Sequence, residues 1–279
     1  LSDVIVDPAV ALRVVADAAL MVGADGARQF HLPARRIRAE GDGLVEVADR
    51  GRRLGSIDLC GGLSTLLDSC EGLRLDDPAT VAFLQFHHPP VPLVTTPADL
   101  GRLAVPDKCF YEAEGCGQRQ RAVMAAMGDR VALVGDCGSP TLAFYVLLRG
   151  LDGALMDLLE APALVHAAME KGAAMAVERG KFNIDLGLRM LRINDSVANM
   201  NVISPAHWRE FVFPHLRDVC TELHRYDPGV RLYCHICGGV RPILEDLVAT
   251  GLDGIGPLDP LGKLTCAEAR QAVGRRVSL

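Results

Sequence analysis

The second half of the chain alternates short apolar runs with longer amphipathic stretches. Each run has the length of a strand, and strands of a parallel sheet that is covered on both sides are apolar on both faces. The predicted strands are residues 131–135, 189–193, the run from 230 that ends in His235-Ile236-Cys237, 252–256 and 275–279. Ser-Pro pairs and a capping box at Thr265 mark the helices between them. This alternation predicts βαβ units and a parallel sheet.

We expect these units to form a (β/α)8 barrel. No Gly-x-Gly-x-x-Gly follows a predicted strand, which disfavours an open dinucleotide-binding sheet. Residues 27–30 supply a sixth strand, so one strand on each side would be missing. The chain begins at Leu1 and ends inside a predicted strand, and we expect both ends to be truncated. The prediction is therefore one α/β TIM-barrel domain over residues 1–279, truncated at both ends.

The first half of the chain is less periodic. Asp7-Pro8 predicts a helix start, with the aspartate as N-cap and the proline in the first turn. Residues 36–50 alternate around Gly41-Asp42-Gly43, which predicts a hairpin that forms a surface excursion from the barrel. Residues 51–128 are the least regular part of the sequence.

The composition is that of an ordinary globular protein and narrows the choice of partners. Apolar residues make up 49% and charged residues 23% of the chain. The formal net charge is −6 and no Lys/Arg-rich run occurs, so we expect no nucleic-acid partner. No apolar run reaches the roughly 18 residues of a membrane span, so we expect no membrane partner. The nine cysteines are scattered, which indicates reduced thiols or metal ligands in a cytoplasmic protein.

The third predicted strand carries the strongest chemical signal. His235 and Cys237 are two residues apart, so they face the same side of a strand and converge. An imidazole and a thiolate suit a divalent metal, zinc above all. A buried histidine and cysteine that merely fill the core are the alternative, because a tetrahedral site needs more ligands than two. Cys137 and Cys266 are candidates for a third ligand.

Other polar residues follow the predicted strands at the edge where barrel active sites lie. We assign substrate binding to three of them, Asp136, Asn194 and Asp259, and a catalytic role to Asp195. Such residues also form turns and helix caps, and this purely structural role stays open for each of the four. Two chemistries follow. Either zinc activates a thiol for transfer of an alkyl group to sulfur, or Asp195 acts as acid, base or electrostatic stabiliser without a metal.

Several segments together carry a family resemblance that covers most of residues 94–279. They are VTTPADL at 94–100, VPD at 105–107, GSPTLAFY at 138–145, NDSVA at 194–198, ISP at 203–205 and HICGGVRPIL at 235–244. The chain resembles the uroporphyrinogen decarboxylase-like superfamily, whose members are single TIM-barrel domains. Its motifs are most similar to those of the zinc-dependent methylcobamide:coenzyme M methyltransferases and the related corrinoid-linked demethylases.

The resemblance implies two main activities. In the methyltransferases both residues of the His-x-Cys motif bind zinc, and a third ligand is a Cys near the final strand, which would lie beyond Leu279. A small-molecule substrate and a corrinoid protein are the implied partners, and members of the superfamily are often dimers. The true decarboxylases act on uroporphyrinogen without a cofactor, and Tyr145 matches their Thr-Leu-x-x-Tyr segment, which implies a catalytic role. Their N-terminal motif rich in Arg, Gln and Gly is not found here.

We therefore expect a zinc-dependent methyltransferase that moves a methyl group between a corrinoid or methylated small molecule and a thiol-type acceptor. A uroporphyrinogen decarboxylase, which is a carboxy-lyase of porphyrin and haem biosynthesis, is the alternative. A third hypothesis is a non-catalytic member that binds a ligand or a corrinoid partner.

Overall fold

The computed structural model describes residues 7–59 and 64–279. The chain divides into two compact units, Leu1–Leu133 and Val134–Leu279. This division does not test the expected single domain over residues 1–279, which stays a prediction. No disulfide links the cysteines in the described part of the chain, and Cys60 lies outside the described residues. None of the described helices combines the length and apolarity needed to cross a bilayer.

Unit 1 combines a small sheet with short helices. Its helices are α1 Pro8–Met21, α2 Pro78–Phe83, α3 Pro97–Arg102, α4 Lys108–Ala113 and α5 Cys116–Met127, with 3-10 turns at Asp49–Gly51, Leu84–Phe86 and Gly128–Arg130. Its strands are β1 Gly26–Arg28, β2 Ile37–Glu40, β3 Gly43–Val47, β4 Arg53–Ile57, β5 Thr65–Leu67 and β6 His87–His88.

The predicted helix start and hairpin are both confirmed. Asp7 accepts a hydrogen bond from the Ala9 amide at 2.8 Å, and α1 then packs on α5 through the buried residues Leu12, Ala16, Val123 and Met127. Strands β2 and β3 pair antiparallel around the turn at residues 41–42.

The hairpin is not an isolated excursion, however. It continues into a sheet of order β2-β3-β4-β5-β6, part of which lies in the region that looked irregular in sequence. Strands of two to five residues are too short to show a clear alternation of apolar and polar positions.

Unit 2 follows the predicted alternation of strands and helices. Its strands are β7 Ala132–Gly138, which begins in unit 1, β8 Met190–Asn194, β9 Arg231–His235 and β10 Gly254–Gly256. Its helices are α6 Leu142–Arg149, α7 Leu151–Glu160, α8 Pro162–Asp185, α9 Pro205–His207, a π-helical turn Trp208–Val212, α10 Phe213–Tyr226, α11 Leu244–Ala249 and α12 Cys266–Val273, with 3-10 turns at Arg241–Ile243 and Pro260–Gly262.

Strands β7, β8, β9 and β10 form a parallel sheet in that order. The expected α/β fold with a parallel sheet is therefore confirmed. The last predicted strand, at 275–279, is reduced to one parallel bridge between Ser278 and Gly254. A closed ring of eight strands is not seen in the described part of the chain, and the complete barrel stays a prediction.

The two faces of this sheet differ in polarity. Leu191, Ile193, Leu232, Cys234 and Ile255 are at most 1% exposed. Because side chains alternate along a strand, the opposite face receives the residues between them. This polar face carries Asp136, Arg192, Asn194, Tyr233 and His235.

Strand β7 also extends to Gly138, beyond the predicted end at 135, so Asp136 and Cys137 lie within the strand rather than after it.

Gly172→Ala is expected to destabilise the protein, because this glycine lets α8 approach the chain at Pro140. A Cβ atom at Gly172 would lie 2.3 Å from the Pro140 carbonyl oxygen, a backbone atom that cannot easily move. Overpacking of this kind costs about 1–3 kcal/mol. Gly101→Ala is the matched control, since it is also helical but meets nothing within 4 Å, and it should gain about 0.5–1 kcal/mol. Urea denaturation measures both, and equal effects would contradict the predicted close approach.

Candidate functional site

The parallel register brings the predicted strand-end residues of β7, β8 and β9 into neighbouring positions. Asp136 pairs with Arg192, and Arg192 pairs with Tyr233. One step further towards the carboxyl end, Asn194 pairs with His235. The polar face therefore presents a row of charged and aromatic side chains that leads up to the His-x-Cys segment.

His235 and Cys237 converge, as their spacing predicts. The Cys237 Sγ lies 3.3 Å from the His235 Nε2, and the Tyr233 hydroxyl lies 3.3 Å from the other ring nitrogen, Nδ1. Zinc bonds of about 2.0–2.1 Å to nitrogen and 2.3 Å to sulfur at a tetrahedral angle would place the two donor atoms about 3.5 Å apart. The pair thus has the spacing of two ligands of one zinc ion.

The third ligand is not found among the described residues, where no group of three His, Cys, Asp or Glu side chains is arranged to hold a metal. The two candidates differ in their surroundings. Cys137 is completely buried, and burial raises the pKa of its thiol far above the usual value. Cys266 is exposed at the first position of α12. Zinc binding by His235 and Cys237 stays a prediction.

The loop after Cys237 is held by polar contacts from two other segments. Asp259 Oδ2 accepts a hydrogen bond from the Gly238 amide at 3.0 Å, and Asn201 Oδ1 accepts one from the Gly239 amide at 2.7 Å. Gly238 has a φ of +79°, and a Cβ there would come within 2.8 Å of the Asn201 Oδ1. Asp259 also caps the turn Pro260–Gly262, so its carboxylate holds the loop in place. Its role in substrate binding stays a prediction.

Arg192 is the main residue of the site that the sequence did not reveal. Its Nη1 donates to the Asp136 Oδ2 at 3.0 Å, and its Nη2 donates to the Asn194 Oδ1 at 2.6 Å. Asn194 in turn donates to the Ser139 hydroxyl at 3.2 Å. Arg192 is only 8% exposed, so the network holds an ion pair in a poorly solvated position. An arginine inside an otherwise apolar strand was the available signal, because a buried arginine needs a partner.

Asp195 faces the helices rather than the polar face. It follows Asn194, so its side chain lies with the buried alternate positions, and it is 1% exposed. Its Oδ1 accepts a hydrogen bond from the Ala143 amide at 2.9 Å, which caps the start of α6 from another segment. Oδ2 has no hydrogen-bond partner in the described structure. Burial raises the pKa of Asp195 to about 7, although the amides of Ala143 and Leu142 favour its ionised form.

Tyr145 is bound to the next helix. Its hydroxyl donates to the Asp157 Oδ2 at 2.5 Å, and the Arg149 Nε donates to the same oxygen at 2.6 Å. The Tyr145 side chain is fully buried, and burial together with the Asp157 carboxylate raises the pKa of the phenol. These contacts join α6 to α7. The structure does not bring Tyr145 into the row on the polar face, and its catalytic role stays a prediction.

The chain is an α/β protein with a parallel sheet and polar side chains at the carboxyl ends of its strands. Proteins of this broad class bind ligands at that edge of the sheet. Within this class, residues 79–279 match the family model described as uroporphyrinogen decarboxylase (URO-D). The chain belongs to the uroporphyrinogen decarboxylase family, which confirms the resemblance inferred from its motifs.

Two curated relatives and one solved structure illustrate the likeness. The chain is 30% identical over 205 residues to a uroporphyrinogen decarboxylase of Burkholderia thailandensis, an alignment that covers 70% of this chain and 54% of that protein. It is 29% identical over 201 residues to the enzyme of the same name from Xanthomonas axonopodis pv. citri, with the same coverage of 70% and 54%. A methyltransferase from Methanosarcina mazei superposes with a TM-score of 0.60 at 16% identity, covering 99% of this chain and 69% of that one.

The chain spans about half the length of the curated relatives it matches. The likeness to the M. mazei structure shows a shared fold, since sequence identity between the two is low. Family membership and fold are therefore established, and the reaction, its substrates and its partners are matters for proposal.

The raised pKa of Asp195 predicts a specific pH dependence of stability. A free aspartate has a pKa of about 3.9, so between about pH 4 and 7 the folded chain holds a proton that the unfolded chain has lost. Stability should therefore fall by about 4 kcal/mol in all as pH rises through this window. Asp195→Asn keeps an oxygen for the Ala143 amide but cannot ionise, so it should lack this decline.

Urea denaturation of both proteins from pH 4 to pH 7 checks this expectation. The free energy of unfolding of Asp195→Asn, relative to the parent protein, should rise across the window. Asp42→Asn, at the exposed tip of the hairpin, is the control and should follow the parent protein at every pH. Parallel curves for the parent and Asp195→Asn would show that Asp195 titrates normally.

Proposed function

We propose that the protein is a zinc-dependent methyltransferase of the uroporphyrinogen decarboxylase family. The observation that carries this proposal is the 3.3 Å approach of the His235 Nε2 and the Cys237 Sγ at the carboxyl end of β9. The methyl group would pass between a corrinoid or methylated small molecule and a thiol-type acceptor. The proposed partners are a small-molecule substrate and a corrinoid protein.

The chemistry of the two side chains supports zinc as the cofactor. His235 and Cys237 would hold it through Nε2 and Sγ, with a further ligand from outside the described residues. Bound there, zinc would stabilise the deprotonated form of an acceptor thiol near neutral pH. Nitrogen and sulfur donors favour zinc over magnesium or calcium, which prefer oxygen.

The neighbouring side chains would position the histidine and the substrate. Tyr233 contacts the Nδ1 of His235, and an Nδ1–H donated to its oxygen leaves the lone pair of Nε2 directed towards Cys237. Asp136, Arg192 and Asn194 would form a polar wall next to the pair, against which charged groups of a substrate could be oriented. Asp195 would anchor the start of α6 next to this wall through the Ala143 amide, and its catalytic role stays a prediction.

A uroporphyrinogen decarboxylase is the second candidate. Two observations favour it: the curated relatives that carry this name, and the presence of Arg192 on the polar face. A guanidinium at that position is suited to bind a carboxylate substituent of a porphyrinogen. A non-catalytic protein that binds the same class of ligand is the third candidate.

Removing either proposed ligand should abolish tight zinc binding. Loss of outer contacts around a metal site costs about 10–100-fold in affinity, so His235→Ala and Cys237→Ser, which remove ligands themselves, should weaken zinc binding at least 100-fold. Cys109→Ser removes an exposed thiol in unit 1 and should leave the affinity unchanged. Metal analysis and zinc titration of the full-length protein measure these changes, and Co²⁺ substitution should add a thiolate-to-cobalt absorption band that Cys237→Ser weakens.

Activity assays then separate the three candidates. Transfer of methyl groups from methylcobalamin to a small thiol, lost in His235→Ala, would support the methyltransferase. A full-length protein that binds no zinc, and whose activity survives His235→Ala, would refute it. Turnover of uroporphyrinogen without metal would establish the decarboxylase, and ligand binding without either reaction would leave the third candidate.

A further inference from the structure

Two histidine side chains that the proposed function does not use meet between α8 and α10. The His166 Nδ1 lies 3.2 Å from the His215 Nε2, which is a hydrogen-bond distance. Phe211 of the π-helical turn packs against His166, with ring centroids 4.9 Å apart, and His207 of α9 lies 6.2 Å from the same Phe211 ring. His215 is only 8% exposed, so the pair lies where helical segments of unit 2 pack together.

This contact limits how many protons the two rings can hold. A ring nitrogen of histidine donates a hydrogen bond only when it carries a proton and accepts one only when it does not. One of the two facing nitrogens must donate and the other must accept, so at least one of the rings is neutral. The pair keeps its hydrogen bond with no charge or with one positive charge. A second charge would set two N–H groups and two cations against each other.

The surroundings of the pair disfavour the second charge as well. The pKa of His215 lies below its ordinary value, because burial lowers it and the charge of His166 lowers it further. Glu170 on α8 and Asp218 on α10 act in the opposite direction. Both carboxylates belong to exposed residues, so water screens them, and burial and the neighbouring ring outweigh their effect. Towards the π-helical turn the pair meets the uncharged ring of Phe211.

The pair lies near the start of both helices that it joins. His215 is in the first turn of α10, and His166 is near the beginning of α8. Further along, the helices approach closely at Gly180, where an added Cβ atom would meet the Leu223 side chain at 2.5 Å. Repulsion between the two rings would therefore act at one end of the contact between α8 and α10, while apolar packing holds the other end.

We propose that the His166 and His215 pair is a proton-sensitive contact, which holds the start of α10 against α8 at neutral pH and releases it in acid. When both rings are protonated, their repulsion favours an open form in which each histidine binds its proton freely. The open form then binds more protons than the closed form. The contact therefore stabilises the fold above the ordinary histidine pKa of about 6.5, and this stabilisation is lost as pH falls below that value.

NMR titration of the full-length protein with labelled histidine, from pH 8 to pH 4.5, measures the protons on the pair. One ring should bind its proton at least ten-fold more weakly than a free histidine, so its signal should move at least one pH unit lower. His166→Gln and His215→Gln assign the two signals. Two rings that both titrate near pH 6.5 would overturn the proposal.

Hydrogen exchange followed by mass spectrometry locates the opening. After correction for the intrinsic exchange rate, protection of the amides in residues 162–170 and 211–220 should fall about five-fold or more between pH 7 and pH 5 in the parent protein. In His166→Gln the side-chain amide can still hydrogen-bond to the His215 Nε2 but cannot be protonated, so protection of these segments should change little over the same range.

His207→Gln is the matched control, since it removes a histidine that approaches Phe211 but does not belong to the pair. It should respond to pH as the parent protein does. Asp195 is present in all of these proteins, so its own titration does not affect the comparison. An equal response of the parent and His166→Gln in both segments would overturn the proposal. If His166→Gln does not fold, the NMR titration of the parent protein decides alone.

Discussion

The parallel pairing of β8 with β9 is the constraint on which the candidate site depends. It sets Arg192 beside Tyr233 and Asn194 beside His235. Because successive side chains of a strand point to opposite faces, a slip of β9 by one residue would turn Tyr233 and His235 towards the helices and bring Cys234 to the polar face. The register is held by the apolar face, since Ile193 and Cys234 are completely buried there. The chemistry on one face of the sheet is thus fixed by the packing on the other.

Burial of charge on the polar face has an energetic consequence. Removing an ion pair from water is costly unless its hydrogen bonds are satisfied, and Arg192 meets this condition through Asp136 and Asn194. Asp195 differs, because its carboxylate accepts a hydrogen bond from the Ala143 amide and its burial raises its pKa to about 7. Arg192 and Asp195 are three residues apart at the same strand end, and their side chains lie on opposite faces of the sheet, where burial of charge is handled in different ways.

The sequence predicted the α/β alternation well because each of the longer strands and helices carries its own pattern of apolar and polar residues. The convergence of His235 and Cys237 was also predictable, although Cys237 lies beyond the strand and is positioned by the turn at Gly238. Arg192 was missed because a single charge in an apolar run does not alter the strand prediction. The place of Asp195 could not be predicted, because the strand end and its partner amide at Ala143 are 52 residues apart. Long-range contacts of this kind have no local signature.

The two leading proposals make different demands on the same polar face. A carboxylate-bearing substrate needs donors that are free to turn towards it, but two terminal nitrogens of Arg192 already donate to Asp136 and Asn194. Binding a carboxylate there would have to use the remaining N–H groups or displace a partner that is itself buried. The His235 and Cys237 pair needs only a small rearrangement, since its two donor atoms lie 3.3 Å apart and two ligands of one tetrahedral zinc ion lie about 3.5 Å apart. Preorganisation of the pair is the physical reason for preferring zinc chemistry at this strand end.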